Sequence, residues 1–515
     1  MLDLGIVLAY FVAIMVAALW GRDRGEVTVE QYFLSSRSLR WPSVALSTIA
    51  TNIQGYQFLG MMGSAYLFGI AQASLEINAV QGILLAVFVF VPLYMRSRVV
   101  TVTQFIAERI GRKAALVYSG ANIALFSTIT LGAALFWGAY AADLVFGDYL
   151  AVISQDRVVR IAVLLVGLGV FSAIYTYLGG LAAVVRTDVV QFGILFLGGF
   201  VVLLVAIREV GGWGQLYVRT PELMQLHLPR EHPTLPWTHM FGLFLLNINY
   251  WCANQSVLQR SLAARSLKDA QVGLMVGGVL KYAMAVLIVV PGVALAGILG
   301  AGGLDEPDMA FPYLVTTYLP IGLKGLILSA LFASLMSTVD STYNSLATLW
   351  SVDLYKGYFR PAASESQVVQ AGRRAILVAL VTGCLMGLVL LYLKFEDPGA
   401  AFTHTLNELR YYINCGIVVL ICTAVLVAVP RERIVLLAFF LTIPLNLFIL
   451  QAFPAMNYFV RAFWVIVIAF GVIALTTPRR NWVSGGELLT SHSPSVARAG
   501  LLLAASLVAL HVVFH

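Results

Sequence analysis

The chain alternates apolar runs of about 18 to 30 residues with short charged segments. Roughly 20 helical residues cross the hydrocarbon of a bilayer, so runs of this length predict membrane-spanning helices. Fourteen are expected, near 3–20, 41–63, 74–95, 114–143, 158–180, 186–206, 239–259, 271–299, 321–350, 373–393, 406–429, 432–453, 458–476 and 497–514. Two of them break the pattern. The second holds "ATNIQGYQFLG" (50–60), which sets Thr51, Asn52, Gln54 and Gln57 at mid-depth beside Gly55 and Gly60. The seventh holds "LLNINYWCANQSVLQR" (245–260), with Asn247, Asn249, Tyr250, Asn254 and Gln255. An unsatisfied backbone or amide group costs several kcal/mol in hydrocarbon, so such stretches persist only where protein or a water-filled cavity covers them. Amides that tie helices together would account for one such cluster. Two clusters, five spans apart, match the placement of discontinuous helices in an inverted-repeat transporter whose site lies at the midplane. On this reading 41–206 (spans two to six) is one repeat and 239–430 (spans seven to eleven) the other, with 1–40 and 431–515 peripheral.

Composition narrows the class. The chain is 60% hydrophobic and 11% charged, against roughly 25% charged in soluble domains, so the expected fold is an all-α polytopic membrane protein. The net charge of +7 is no nucleic-acid signal. Of 32 Lys and Arg, 22 fall in alternate loops, among them Arg22, Arg24, Arg260, Arg360 and Arg374. The positive-inside rule makes those loops cytoplasmic and puts both termini outside a cell (inner or plasma) membrane. Cys252, Cys384, Cys415 and Cys422 lie in apolar runs and read as small hydrophobes, assigned to neither disulfide nor metal. The first span runs into "WGRDRG" without a cleavage pattern and reads as retained.

Ionisable residues at membrane depth are costly and default to functional-site candidates. Glu76 opens the third span, Asp188 the sixth, and Lys281 and Asp340 lie inside the eighth and ninth. In the ninth, Ser334, Ser337, Thr338 and Ser341 recur at three- and four-residue intervals and share a helical face, with Asp340 near it. Back-bonding to the helix's own carbonyls explains any one hydroxyl. Neutral oxygens with one or two carboxylates suit a hard monovalent cation.

The stretches "TVEQYFLSSRSLRWPSVALSTIATNIQG", "YLGGLAAVVRTDVVQ" and "ASLMSTVDSTYNSLATLWSVDLY" resemble the sodium:solute symporter family. "NYWCANQSVLQRSLAARSLKDA", followed by "LK" in the next span, resembles its sodium–glucose/galactose cotransporter branch. The resemblance covers about residues 3–430. It implies a fourteen-helix protein with a five-plus-five, leucine-transporter-type core that couples sodium entry to solute uptake by alternating access. It further implies a sodium site at the carbonyls of Ala50 and Ile53 with Ser334, Ser337 and Thr338. A second sodium site, in members that have one, would fall on Asp188, Ser337, Asp340 and Ser341. Sugar-binding positions match Asn52, Gln57, Glu76, Asn247, Lys281 and Asn407, with Tyr250 as platform and inner gate and Met61 at the outer gate.

Three departures leave the substrate open. Asp340 stands where relatives usually carry a hydroxyl, and Thr403 replaces an outer-gate aromatic. Arg410 stands where relatives place a small polar residue, and an arginine suits a carboxylate. The expected function is sodium-coupled symport of a neutral sugar, with a sugar acid, other organic anion, polyol or amino acid as the alternative cargo. A sensor would require a signalling domain that the sequence lacks. No Gly-rich phosphate loop, paired His and Cys ligands or nucleophile with a base is found. The expected chain is therefore no enzyme, binds no nucleic acid, and needs no cofactor beyond sodium as coupling ion.

Overall fold

The computed structural model describes residues 2–20, 27–55, 57–300, 302–304, 306–396, 402–488 and 493–515; Arg22 and Arg24 lie outside them. Among the described residues the regular elements are all helical, with three isolated bridges. Eleven helices there are long and apolar enough to cross a membrane, so this is a multi-pass α-helical membrane protein.

Eleven falls short of the expected fourteen for three local reasons. The helix Arg157–Val210 is 54 residues long, about 81 Å at 1.5 Å per residue and far beyond one crossing. It bends at Gly180 (φ 56°, ψ −150°), a backbone region open essentially to glycine. Space there is equally exclusive, since a Cβ on Gly180 would lie 2.4 Å from the Tyr32 carbonyl oxygen. The second cause is the stretch Gln57–Arg96, which runs as 40 helical residues but turns at Gly69, φ 66°. The third is that both polar-interrupted segments consist of short pieces. Trp41–Asn52 is followed by Gln57–Met61 and Met62–Phe68. His239–Ile248 is followed by Asn249–Ala253 and Gln255–Leu262.

Burial separates core from periphery. Every residue from Ile327 to Thr348 of the helix Leu323–Thr348 is buried, including its hydroxyl and carboxyl groups, which therefore need partners within the protein. This helix packs along Arg157–Val210, and the helix Leu267–Leu299 packs along Trp41–Asn52. Gly292 makes the neighbouring crossing possible: a Cβ there would lie 2.3 Å from the Met62 carbonyl oxygen. The last helix, Pro494–Val513, instead exposes Leu501, Leu502 and Val512, as a lipid-facing helix must.

Candidate functional site

Each broken helix leaves helical geometry at an extended residue. Ile53 (φ −83°, ψ 109°) ends Trp41–Asn52, and Asn254 (φ −80°, ψ 117°) precedes Gln255–Leu262. Each also contains a five-residue π-helical stretch, Gln57–Met61 and Asn249–Ala253, a form that recurs at functional sites. Nearby side chains satisfy the freed backbone groups. The Gln54 amide donates to Gln57 Oε1 at 3.0 Å. Tyr94 OH donates to the Cys252 carbonyl at 2.6 Å, and Tyr118 OH donates to that of Ala253.

Between the two breaks lies a cavity of ≈470 Å³, within the range of small-molecule sites. Asn52, Gln57, Met61, Glu76, Asn247, Tyr250, Lys281 and Arg410 all line it; the side chain of Asn407 lies outside those described. Its polar wall is a connected network. Lys281 Nζ donates to Asn52 Oδ1 at 2.5 Å and pairs with the Glu76 carboxylate. Gln57 Nε2 donates to the other Glu76 oxygen at 3.0 Å. Asn52 Nδ2 donates to the Tyr250 hydroxyl at 2.8 Å, and Asn247 Nδ2 to the Asn78 carbonyl at 3.0 Å. Lys281 is 1% exposed and Glu76 5%, so neither charge is stable there without the other. The cavity reaches the loop residues Thr234 and Leu235, and Pro307 and Asp308 of the short 3-10 helix Pro307–Met309. Tyr250, also in its lining, stacks edge-on against Trp251, which is buried.

The hydroxyls of Leu323–Thr348 meet the carbonyls that the first break leaves open. Ser334 Oγ donates to the Ile53 carbonyl at 2.9 Å, and Ser337 Oγ to that of Ala50 at 2.8 Å. Thr338 Oγ1 reaches the Thr51 carbonyl at 3.5 Å and that of Ser334 at 3.2 Å. The buried hydroxyls of Ser334, Ser337 and Thr338 thus lie against the backbone carbonyls of Ala50, Thr51 and Ile53, and neutral oxygens of this kind suit a hard monovalent cation.

A second buried cluster lies one turn further along the same helix. Asp340 Oδ2 accepts from Tyr175 OH at 2.6 Å and from Thr187 Oγ1 at 3.4 Å, and Oδ1 accepts from Ser341 Oγ at 3.4 Å. Thr51 and Ser341 share a hydrogen bond at 2.8 Å. Asp188 accepts from Ser47 Oγ at 2.5 Å and pairs with Arg260 at 3.1 Å. Arg260 also donates to Ser47 at 3.0 Å and to Ser341 Oγ. Its side chain is wholly inaccessible to solvent, so its place in a loop in the charge count is corrected: it lies within Gln255–Leu262. Arg260, Ser47 and Tyr175 were not among the predicted site residues. The available signal was the polar run "NQSVLQR", whose helical spacing carries Arg260 one turn beyond Ser256 toward the interior.

The family model of the sodium:solute symporters matches residues 32–391. The chain belongs to the sodium:solute symporter family. It is a sodium-coupled solute symporter and not an enzyme. Relatives of this symporter include the sodium/glucose cotransporter of Vibrio parahaemolyticus, 29% identical over 96% of each chain. Sodium/glucose cotransporter 1 of Ovis aries is 32% identical over 73% of this chain and 61% of its own, so the symporter spans about three fifths of that relative. In fold it is similar to a Na+-coupled sialic acid symporter solved substrate-bound and outward-open, with a TM-score of 0.78, 20% identity, and 93% and 98% of the two chains covered.

Proposed function

We propose that this symporter carries a neutral monosaccharide, driven by sodium through alternating access. The observation that supports this most is the network of Lys281, Glu76, Asn52 and Gln57 in one cavity. Those side chains offer hydrogen-bond donors and acceptors of both charge types, as a ring of hydroxyls requires, and Tyr250 offers an apolar face beside them. Sodium is assigned to the Ala50 and Ile53 carbonyls with Ser334, Ser337 and Thr338. Asn52 lies between those carbonyls in the chain, so a cation that orders the break also orders a substrate contact. The effect on affinity is then reciprocal. A second sodium at Asp188, Ser337, Asp340 and Ser341 would share the Asp188 carboxylate with Arg260. Arg410 lines the same cavity and favours one alternative cargo, a sugar acid or other organic anion.

The proposed architecture counts fourteen crossings, obtained by dividing Arg157–Val210 at Gly180 and treating each broken segment as one span. Residues 41–206 and 239–430 are then the inverted repeats, and 1–40 and 431–515 the periphery. Both termini lie outside, and the cavity faces outward past residues 234–235 and 307–308. Met61 and Tyr250 are the outer and inner gates. The test is binding of labelled hexoses, polyols and sugar acids to purified protein with and without sodium. Sodium-enhanced hexose binding supports the assignment, and binding confined to acids moves it to Arg410.

A further inference from the structure

A second cavity, ≈700 Å³ in volume, lies away from the site, where Glu365–Glu396 meets the end of the cation-bearing helix. Its two ends differ. At one stand Arg360 and Arg374, both exposed. Among the described residues neither guanidinium lies within ion-pair distance of a carboxylate. Glu365, the acidic residue next to Arg360 in sequence, accepts the Val29 amide at 3.0 Å instead. Trp350 (38% exposed) packs on Phe359, next to Arg360, with 5.9 Å between ring centroids, and beyond Arg374 the wall is carried by Ala375, Val378 (63% exposed), Ala379 and the methyl-bearing Thr382. Arg374 and Thr382 are eight residues apart on one helix, so the trough runs about 12 Å from its cationic rim. Leu346, on the helix that carries Ser334 and Ser337, forms part of its floor.

A doubly cationic rim leading into an apolar trough on a lipid-facing wall matches one ligand chemistry, a phosphate joined to an acyl chain. We propose that this groove binds an anionic phospholipid of the cytoplasmic leaflet, its phosphate between Arg360 and Arg374 and one acyl chain along Trp350 and Val378. Guanidinium pairs bind phosphate oxygens in bidentate fashion, basic pockets between helices on this face select anionic headgroups, and Trp favours the headgroup level. The inference rests on the proposed orientation and not on the substrate assignment.

Native mass spectrometry of the purified full chain with phosphatidylglycerol and phosphatidylcholine of identical chains is the test. Phosphatidylglycerol is expected to be retained preferentially. Arg360→Gln/Arg374→Gln should weaken its binding roughly 30-fold, from the loss of two interfacial charges, and leave phosphatidylcholine unchanged. Phosphatidylglycerol with brominated chains should quench the part of the fluorescence that Trp350→Phe removes. Equal retention of the two lipids, or a double variant that binds like the parent, overturns the proposal. Complete displacement by soluble glycerol phosphate also overturns it, because the groove would then hold an anion without a chain. Sodium-dependent thermal stability of the double variant serves as the folding control, and none of these readouts depends on the transported solute.

Discussion

Lys281→Met separates the substrate role of the buried pair from its structural one. The lysine donates to Asn52 Oδ1 at 2.5 Å and pairs with Glu76, and both charges line the 470 Å³ cavity. If a sugar hydroxyl takes one of those bonds, its loss removes a charge-assisted hydrogen bond worth about 1.5–3 kcal/mol. Substrate half-saturation should rise about 10- to 150-fold. The half-saturating sodium concentration should move far less, because no oxygen of the sodium set is lost. The substitution also strands the Glu76 carboxylate, and removing one partner of a buried pair costs about 3–5 kcal/mol, an upper figure here because the cavity admits water. Adding Glu76→Gln relieves that penalty. The double variant should regain thermal stability without regaining substrate affinity. Sodium-dependent uptake into proteoliposomes, together with thermal unfolding in detergent, measures both effects. Equal shifts in sodium and substrate half-saturation, or restored affinity in the double variant, would make the pair a structural element only.

Ser337→Ala deletes one of the proposed sodium oxygens, and about 1 kcal/mol for a neutral contact predicts roughly fivefold higher half-saturating sodium, measured by uptake titration. Arg410→Gln should leave uptake of a neutral hexose unchanged and depress that of a sugar acid by about tenfold or more, the worth of a charge-assisted contact. Asp340→Ser should alter either the sodium-to-solute stoichiometry or the pH dependence of transport, read from flux ratios across imposed gradients. Gly180→Ala imposes a glycine-only backbone on alanine and drives its Cβ against the Tyr32 carbonyl, 2.4 Å away. It should cost about 1–3 kcal/mol or more, seen as a fall in Tm.

The broken helices were legible because amides and glycines inside an apolar run have no role in a plain membrane helix. Glu76 and Lys281 were legible for the same reason: the hydrophobic background makes a buried charge stand out. Their mutual pairing was not, since 205 residues separate them and only packing brings Ser74–Ile77 against Leu267–Leu299. Arg260 escaped because a cation after an apolar segment looks like a loop residue. The chain in fact continues as helix for two more residues to Leu262, which carries Arg260 under Asp188. The eleven long helices likewise reflect geometry that composition cannot register. Gly180 bends a helix while its backbone stays locally continuous on both sides, so helix length marks one element where the apolar pattern predicts two spans.

The measurement that bears most directly on the central claim is uptake by proteoliposomes under an imposed inward sodium gradient, with labelled hexoses, polyols, sugar acids and amino acids as candidates. Potassium and proton gradients serve as controls. Accumulation of a neutral hexose with sodium alone, abolished by Lys281→Met, is the predicted result. Accumulation of an acidic solute only, with Lys281→Met indistinguishable from the parent, would contradict it.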